Sequence, residues 1–186
     1  MFMNDEKPKD LQECLERLKK GCETLSAECN YSEDYSQFNP PATEEEIVKF
    51  ESTLKFPLPQ EYREFLKFSN GARIMGEEIY GLDSIGSSDV YVPDGYLSIS
   101  RVEMTSERLA ISEENGKICL FWDLQKKPWN FELELMNLLE ECEECISEHA
   151  EEARKALRTP DEIKRDQEEA QAVVDKWRKI LAERNL

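Results

Sequence analysis

Between Ile74 and Asp123 the apolar residues leave helical spacing and fall into short extended runs with no helical pattern between them. Strands that follow one another without intervening helices pair antiparallel, so this segment dictates an antiparallel sheet. The expected strands are Glu78–Leu82, Val90–Val92, Tyr96–Ile99, Leu109–Ser112 and Lys117–Asp123. Asn115-Gly116 separates the last two and is a strong hairpin signal. In the last run Ile118, Leu120 and Trp122 alternate with Lys117, Cys119, Phe121 and Asp123. With Ile79 and Tyr80 they are the expected core face of the sheet.

Helical patterns flank this segment on both sides. From Asp10 to Glu28, Leu11, Cys14, Leu15, Leu18, Cys22 and Leu25 form one stripe, interrupted only by the poor helix former Gly21. A second helix starts at Thr43, whose spacing to Glu46 makes a capping box, and the helix is expected to stop at Pro57. A third follows Pro59, buries Tyr62, Phe65 and Leu66, and ends at Asn70-Gly71. The expected packing sets Phe50, Tyr62, Phe65 and Leu66 against the sheet. A fourth helix runs from about Asn130 to Glu152, with Phe131, Leu135, Leu138, Leu139, Cys142 and Ile146 inward. The last begins at Thr159-Pro160, with Glu162 completing a second capping box, and carries Val173, Val174, Trp177 and Leu181. The order of helices, strands and helices gives an α+β fold.

Composition narrows the function classes. The chain carries 41 carboxylates against 24 Lys and Arg, a net charge of −17. Such a surface repels phosphate backbones, disfavours nucleic acid as partner, and attracts basic proteins. No apolar run is long enough to span a membrane, and the polar start from Met1 to Asp10 lacks the apolar core of a secretory signal. A cytoplasmic location is the expectation, and with it six cysteines free of structural disulfides.

The search for reactive groups returns little. His149 is the single histidine. Cys142, Cys145 and His149 fall within an arc of about 60° on one helix, but zinc takes four ligands and no second close pair exists. With 41 acids, paired carboxylates carry no signal, and the seven glycines make no phosphate loop. The expectation is no catalytic residue, no metal and no cofactor.

The stretch Pro40–Ile47 reads Pro-Pro-Ala-Thr-Glu-Glu-Glu-Ile. It is followed by Glu51, Leu58-Pro59, Tyr62, Phe65-Leu66, Asn70-Gly71 and Ile79-Tyr80-Gly81-Leu82. This series resembles the SUKH superfamily, in its Smi/Knr-type branch of cell-wall regulators and bacterial toxin-immunity proteins. Leu109–Asp123 and Phe131–Ile146 are similar to the family's last strands and closing helix, although Glu113-Glu114-Asn115-Gly116 is shorter than the family's glycine-rich turn. The resemblance implies a SUKH-like domain over 40–150, a helical extension over 1–39 and a further helix over 151–186.

It also implies a non-enzymatic binding protein, an immunity protein that neutralises a polymorphic toxin by stoichiometric contact. A regulatory or scaffolding module without a toxin partner is the alternative, and a metal-binding protein or enzyme comes after both. The implied partner is a basic toxin domain of the nuclease or deaminase class. Two surfaces are candidates to meet it. One is the acidic face of the fourth helix, with Glu140, Glu141, Glu144, Glu148 and Glu151. The other is an open sheet face with Glu77, Glu78, Tyr91 and Tyr96.

Overall fold

A computed structural model describes residues 7–28, 36–87, 89–102, 105–156, 164–165 and 171–178. The chain divides into two compact units, Met1–Ile146 and Ser147–Leu186. The elements run in the order α1 (Leu11–Glu28), β1 (Gln37–Phe38), α2 (Glu44–Glu51), α3 (Gln60–Phe68), β2 (Ala72–Ile74), β3 (Glu77–Ile79). They continue with β4 (Tyr96–Ser98), β5 (Ser100–Val102), β6 (Arg108–Ser112), β7 (Ile118–Trp122), β8 (Gln125–Pro128) and α4 (Phe131–Ala156). The fold is α+β.

Instead of one sheet there are two among the described residues, in the orders β1-β2-β3-β5 and β4-β6-β7-β8, with every pair antiparallel. Ile99 is the hinge between them. It is fully buried, its N–H donates to the Leu109 carbonyl at 2.8 Å, and its own carbonyl accepts from Tyr80 at 2.8 Å. The chain thus passes from one sheet to the other within a single residue, and each strand stays short. Val90–Val92 is a turn, not a strand. Its Tyr91 N–H is taken by the Asp89 side chain at 3.0 Å, a local bond that competes with sheet pairing. Strands β1, β2, β5 and β8 are too short or too polar to register as alternating patterns.

The helices supply most of the core. Cys14, Leu15, Leu18, Cys22 and Leu25 of α1 are buried with Ile47 of α2, Tyr62, Phe65 and Leu66 of α3, and the inward side of α4. Phe131 meets Tyr62 and Phe65 edge to face, with ring centroids 5.3 and 5.7 Å apart. Gly21, a liability for an isolated helix, is a contact point here. A Cβ at this position would sit 2.5 Å from the Cys142 Sγ, so α1 passes α4 too closely for a side chain beside Cys142. Arg17 of α1 reinforces the contact by donating to Glu143 of α4 at 2.6 Å. Trp122 is a correction: it shares a face with Ile118 and Leu120 but lies past the edge of the core, 50% exposed, with Lys127 over its ring. Phe121 is buried on the opposite face with Ala110 and Cys119, beneath Val92 and Tyr96.

α2 has its capping box: the Glu46 N–H donates to Thr43 Oγ1 at 3.2 Å, and the Thr43 N–H donates to Glu46 Oε2 at 2.8 Å. It ends at Glu51, earlier than Pro57 requires, because the Ser52 and Thr53 hydroxyls bond back to the carbonyls of Lys49 and Phe50. In the second unit the end of α4 and residues 171–178 are helical, and Val173, Val174 and Trp177 are exposed. The Thr159–Glu162 cap lies outside the described residues.

Candidate functional site

The helical and turn residues of the first unit converge on a latch. Asn70 Oδ1 accepts the Leu82 N–H at 2.8 Å, and Asn39 Nδ2 donates to the Asn70 carbonyl at 3.0 Å. Gly71 (φ +90°) and Gly81 lie back to back. A Cβ on Gly81 would fall 2.3 Å from the Asn70 carbonyl oxygen, so both positions demand glycine. The Tyr62 hydroxyl donates to the Tyr80 carbonyl at 2.6 Å. Glu51 accepts the Leu58 N–H at 2.9 Å and pairs with Arg63, which also pairs with Glu44. These residues hold α2, α3 and the first sheet together, and they contribute shape rather than an exposed binding group.

α4 is different on its two sides. Its inward residues are locked into the core, whereas Glu140, Glu141, Glu144, Glu148 and Glu151 are all exposed. Within the first unit, at 100° per residue, Glu140, Glu141 and Glu144 lie within an arc of about 100°, directed away from Leu135, Leu139 and Cys142; Glu148 and Glu151 belong to the second unit. No Lys or Arg occurs between Trp129 and Ala153. Arg17 of α1 is paired with Glu143, at the border of the stripe. The residues 1–146 hold 31 carboxylates against 15 cations, and residues 147–186 ten against nine, so the excess charge belongs to the first unit.

The second predicted surface does not exist as one face. Glu78 lies on β3 of the first sheet, paired across the ladder with Arg101 at 2.8 Å. Tyr96 lies on β4 of the second sheet, edge to face with Phe121 and accepting from Lys126 at 2.9 Å. Tyr91 belongs to the loop before β4 and covers the guanidinium of Arg108, which is paired with Asp89 at 2.5 Å. Glu77 is turned to the interior and only 4% exposed. Strand alternation places Glu77 and Glu78 on opposite faces, so they could not both be open.

Pro41 to Cys145 also matches a family model, that of the SMI1 / KNR4 family (SUKH-1) over residues 41–145. The chain belongs to this family. No curated protein matches it. The SUKH-1 segment begins just before the capping box of α2 and ends on α4, so it contains the latch apart from Asn39, both sheets apart from β1, and most of the inward side of α4. α1 precedes it in sequence yet fills the same core.

Within the SUKH-1 segment the structure also shows a carboxyl pair that the sequence did not bring together. Glu77 and Glu134 meet beneath Trp129 and Ser100, with Glu107 nearby. Burial, then the neighbouring Glu134 charge, pushes Glu77 up to about 8. Burial also raises Glu134, offset in part by the Trp129 indole N–H, which donates to its Oε2 at 2.7 Å. At neutral pH Glu77 is therefore the protonated partner and donates to Glu134. A glutamate at a core-facing strand position is the only sequence trace of this pair.

Among the described residues the thiols form no comparable centre. Cys142 donates to Cys22, which lowers Cys22 and raises Cys142, and burial raises Cys142 further. Cys145 and His149 are half-buried on α4, and among the described residues no group of three His, Cys, Asp or Glu side chains is placed to hold a metal ion. Among the described residues no helix is long and apolar enough to cross a membrane.

Proposed function

We propose that this SUKH-1 protein is an immunity protein that neutralises a basic toxin domain by one-to-one binding, and that the outward face of α4 carries the contact. The supporting observation is the exposed acidic stripe Glu140, Glu141, Glu144 and Glu148, continued by Glu151, on a helix whose inward side is packed into the core. Like charges at i,i+4 cost a helix about 0.2–0.5 kcal/mol per pair, and Glu140, Glu144 and Glu148 form two such pairs. A surface that stabilises itself would alternate signs, whereas this one is arranged to meet opposite charge from outside. An enzyme that grips a nucleic acid is basic, which makes a nuclease or deaminase the fitting class of target.

The test is binding between the full chain and the product of its neighbouring reading frame, measured by surface plasmon resonance. Replacing Glu140, Glu141, Glu144 and Glu148 by lysine changes the face by eight charges. Because exposed charges act mainly on encounter, the association rate should fall by about 10²–10³-fold, with the fold intact by circular dichroism. Unchanged association would remove α4 as the contact.

A further inference from the structure

Glu77 Oε1 is buried and has no hydrogen-bond partner among the described residues. It borders a small cavity of about 60 Å³ whose walls include the apolar Val102, Leu109, Leu120 and Trp129 and whose acidic members are Glu77, Glu107 and Glu134. The one described cation of the lining, Arg108, is already occupied: it donates to Asp89 at 2.5 Å and to the carbonyls of Thr105 and Glu107 at 3.0 and 2.6 Å. An orphaned acceptor in a carboxylate-rich, apolar-walled hole lacks a cationic donor.

We propose that this cavity receives the ammonium of one lysine side chain from the protein partner, paired with Glu77 and Glu134 while its methylenes lie against Leu120 and Trp129. The inference rests on the reading above that the partner is a basic protein, and it names a second, buried point of contact. A lysine fits better than an arginine. Its compact ammonium offers three donors on a thin apolar stem, whereas a guanidinium is a broad plane that needs a flat fork of acceptors. The cavity exceeds the roughly 10–15 Å³ that one water requires, so filling it with a single water would leave both the orphaned oxygen and the apolar walls poorly matched.

Entry of the ammonium converts the protonated Glu77 to a carboxylate. Its proton goes to solvent, the Glu77–Glu134 hydrogen bond is replaced by ammonium donors to both carboxylates, and no other covalent bond changes. The groups facing Glu77 are Glu134 on α4, Glu107 before β6 and Arg108 on β6, with Ser100 donating from β5. Since the free acid titrates near pH 8, the affinity for an ammonium should rise as pH rises toward that value, by up to about tenfold per unit.

The experiment titrates the full chain with Nα-acetyl-lysine N-methylamide and follows the Trp129 indole N–H resonance, a direct reporter through its bond to Glu134. The expected result is a saturable shift in the millimolar range that tightens between pH 6.5 and 7.5. The norleucine analogue, with the same stem and no ammonium, should produce none. Glu77→Gln should weaken binding at least tenfold, and Glu134→Gln gives the same reading should the first variant fold poorly. Equal binding of the norleucine analogue, unchanged affinity in a folded Glu77→Gln or Glu134→Gln protein, or no saturable shift would each overturn the proposal. Binding of putrescine without the lysine derivative would overturn it in favour of a free diamine. The α4 lysine variants should leave the lysine affinity unchanged, so a failed α4 contact and a failed lysine cavity are told apart.

Discussion

Glu77 stands at a position of β3 where alternation would give an apolar side chain, opposite Val102 in the ladder. Its carboxyl is raised from the ordinary 4.5 to about 8 in the folded chain. Between those values the folded state keeps a proton that the unfolded state has released. Stability should therefore fall as pH rises from about 4.5 to about 8 and then level off. Glu77→Gln retains a donor toward Glu134 without the ionisation. It should flatten this slope and gain stability at pH 8, read as urea midpoints of both proteins at pH 5, 6.5 and 8. Parallel slopes in the two proteins would refute the assignment. Gly21 gives a second test. An alanine gains up to about 1 kcal/mol of helix propensity but collides with the Cys142 Sγ in a packed interior, which costs about 1–3 kcal/mol. The expected net effect is destabilisation, reversed when Cys142→Ala is added, as a double-mutant denaturation cycle would show.

At the scale of elements, α4 does two jobs that conflict. Its inward side closes the core through Phe131, Leu135 and Cys142, and its outward side accumulates charge that opposes the helix. Glu144→Lys should turn two repulsive i,i+4 pairs, with Glu140 and Glu148, into attractive ones and raise stability by about 0.8–2 kcal/mol. The same change should slow association with the basic partner. Thermal melting and association kinetics on one variant check both signs together, and a variant that gained nothing in stability would show that the stripe is not strained by its own charge. The β7–β8 hairpin shows a similar departure from what stability alone favours. Its two-residue turn places Asp123 (φ 48°) and Leu124 (φ 64°) in the left-handed region, where Asn-Gly is the usual choice, and leaves Trp122 and Leu124 exposed.

For the molecule as a whole, the charge of −17 sets behaviour with salt. At about 0.1 M ionic strength charges are screened beyond roughly 10 Å, so the self-repulsion of the folded chain weakens as salt is added. Raising sodium chloride from 50 to 500 mM should increase the melting temperature while lowering the association rate for a cationic partner. Calorimetry and kinetics over one salt series measure both, and a melting temperature that dropped with salt would mean that ion pairs such as Arg63 with Glu44 and Glu51 outweigh the net repulsion.

By itself the sequence determined the helices α2, α3 and α4, the hairpin at Asn115-Gly116 and the α+β class, because caps, periodicity and turn residues act within a few positions of one another. It also determined which glutamates of α4 share a face, since helical geometry converts spacing directly into direction. Only the tertiary structure decided that the strands divide into two sheets at Ile99, that Trp122 lies past the core and Phe121 inside a second cluster, and that Gly21 is a contact point and not a weakness. The same holds for the surface once expected from Glu77, Glu78, Tyr91 and Tyr96, which the fold separates. Glu77 meets Glu134 across more than fifty residues of chain. A pairing of that kind leaves no local pattern, because burial and neighbouring charge are set by which elements pack together.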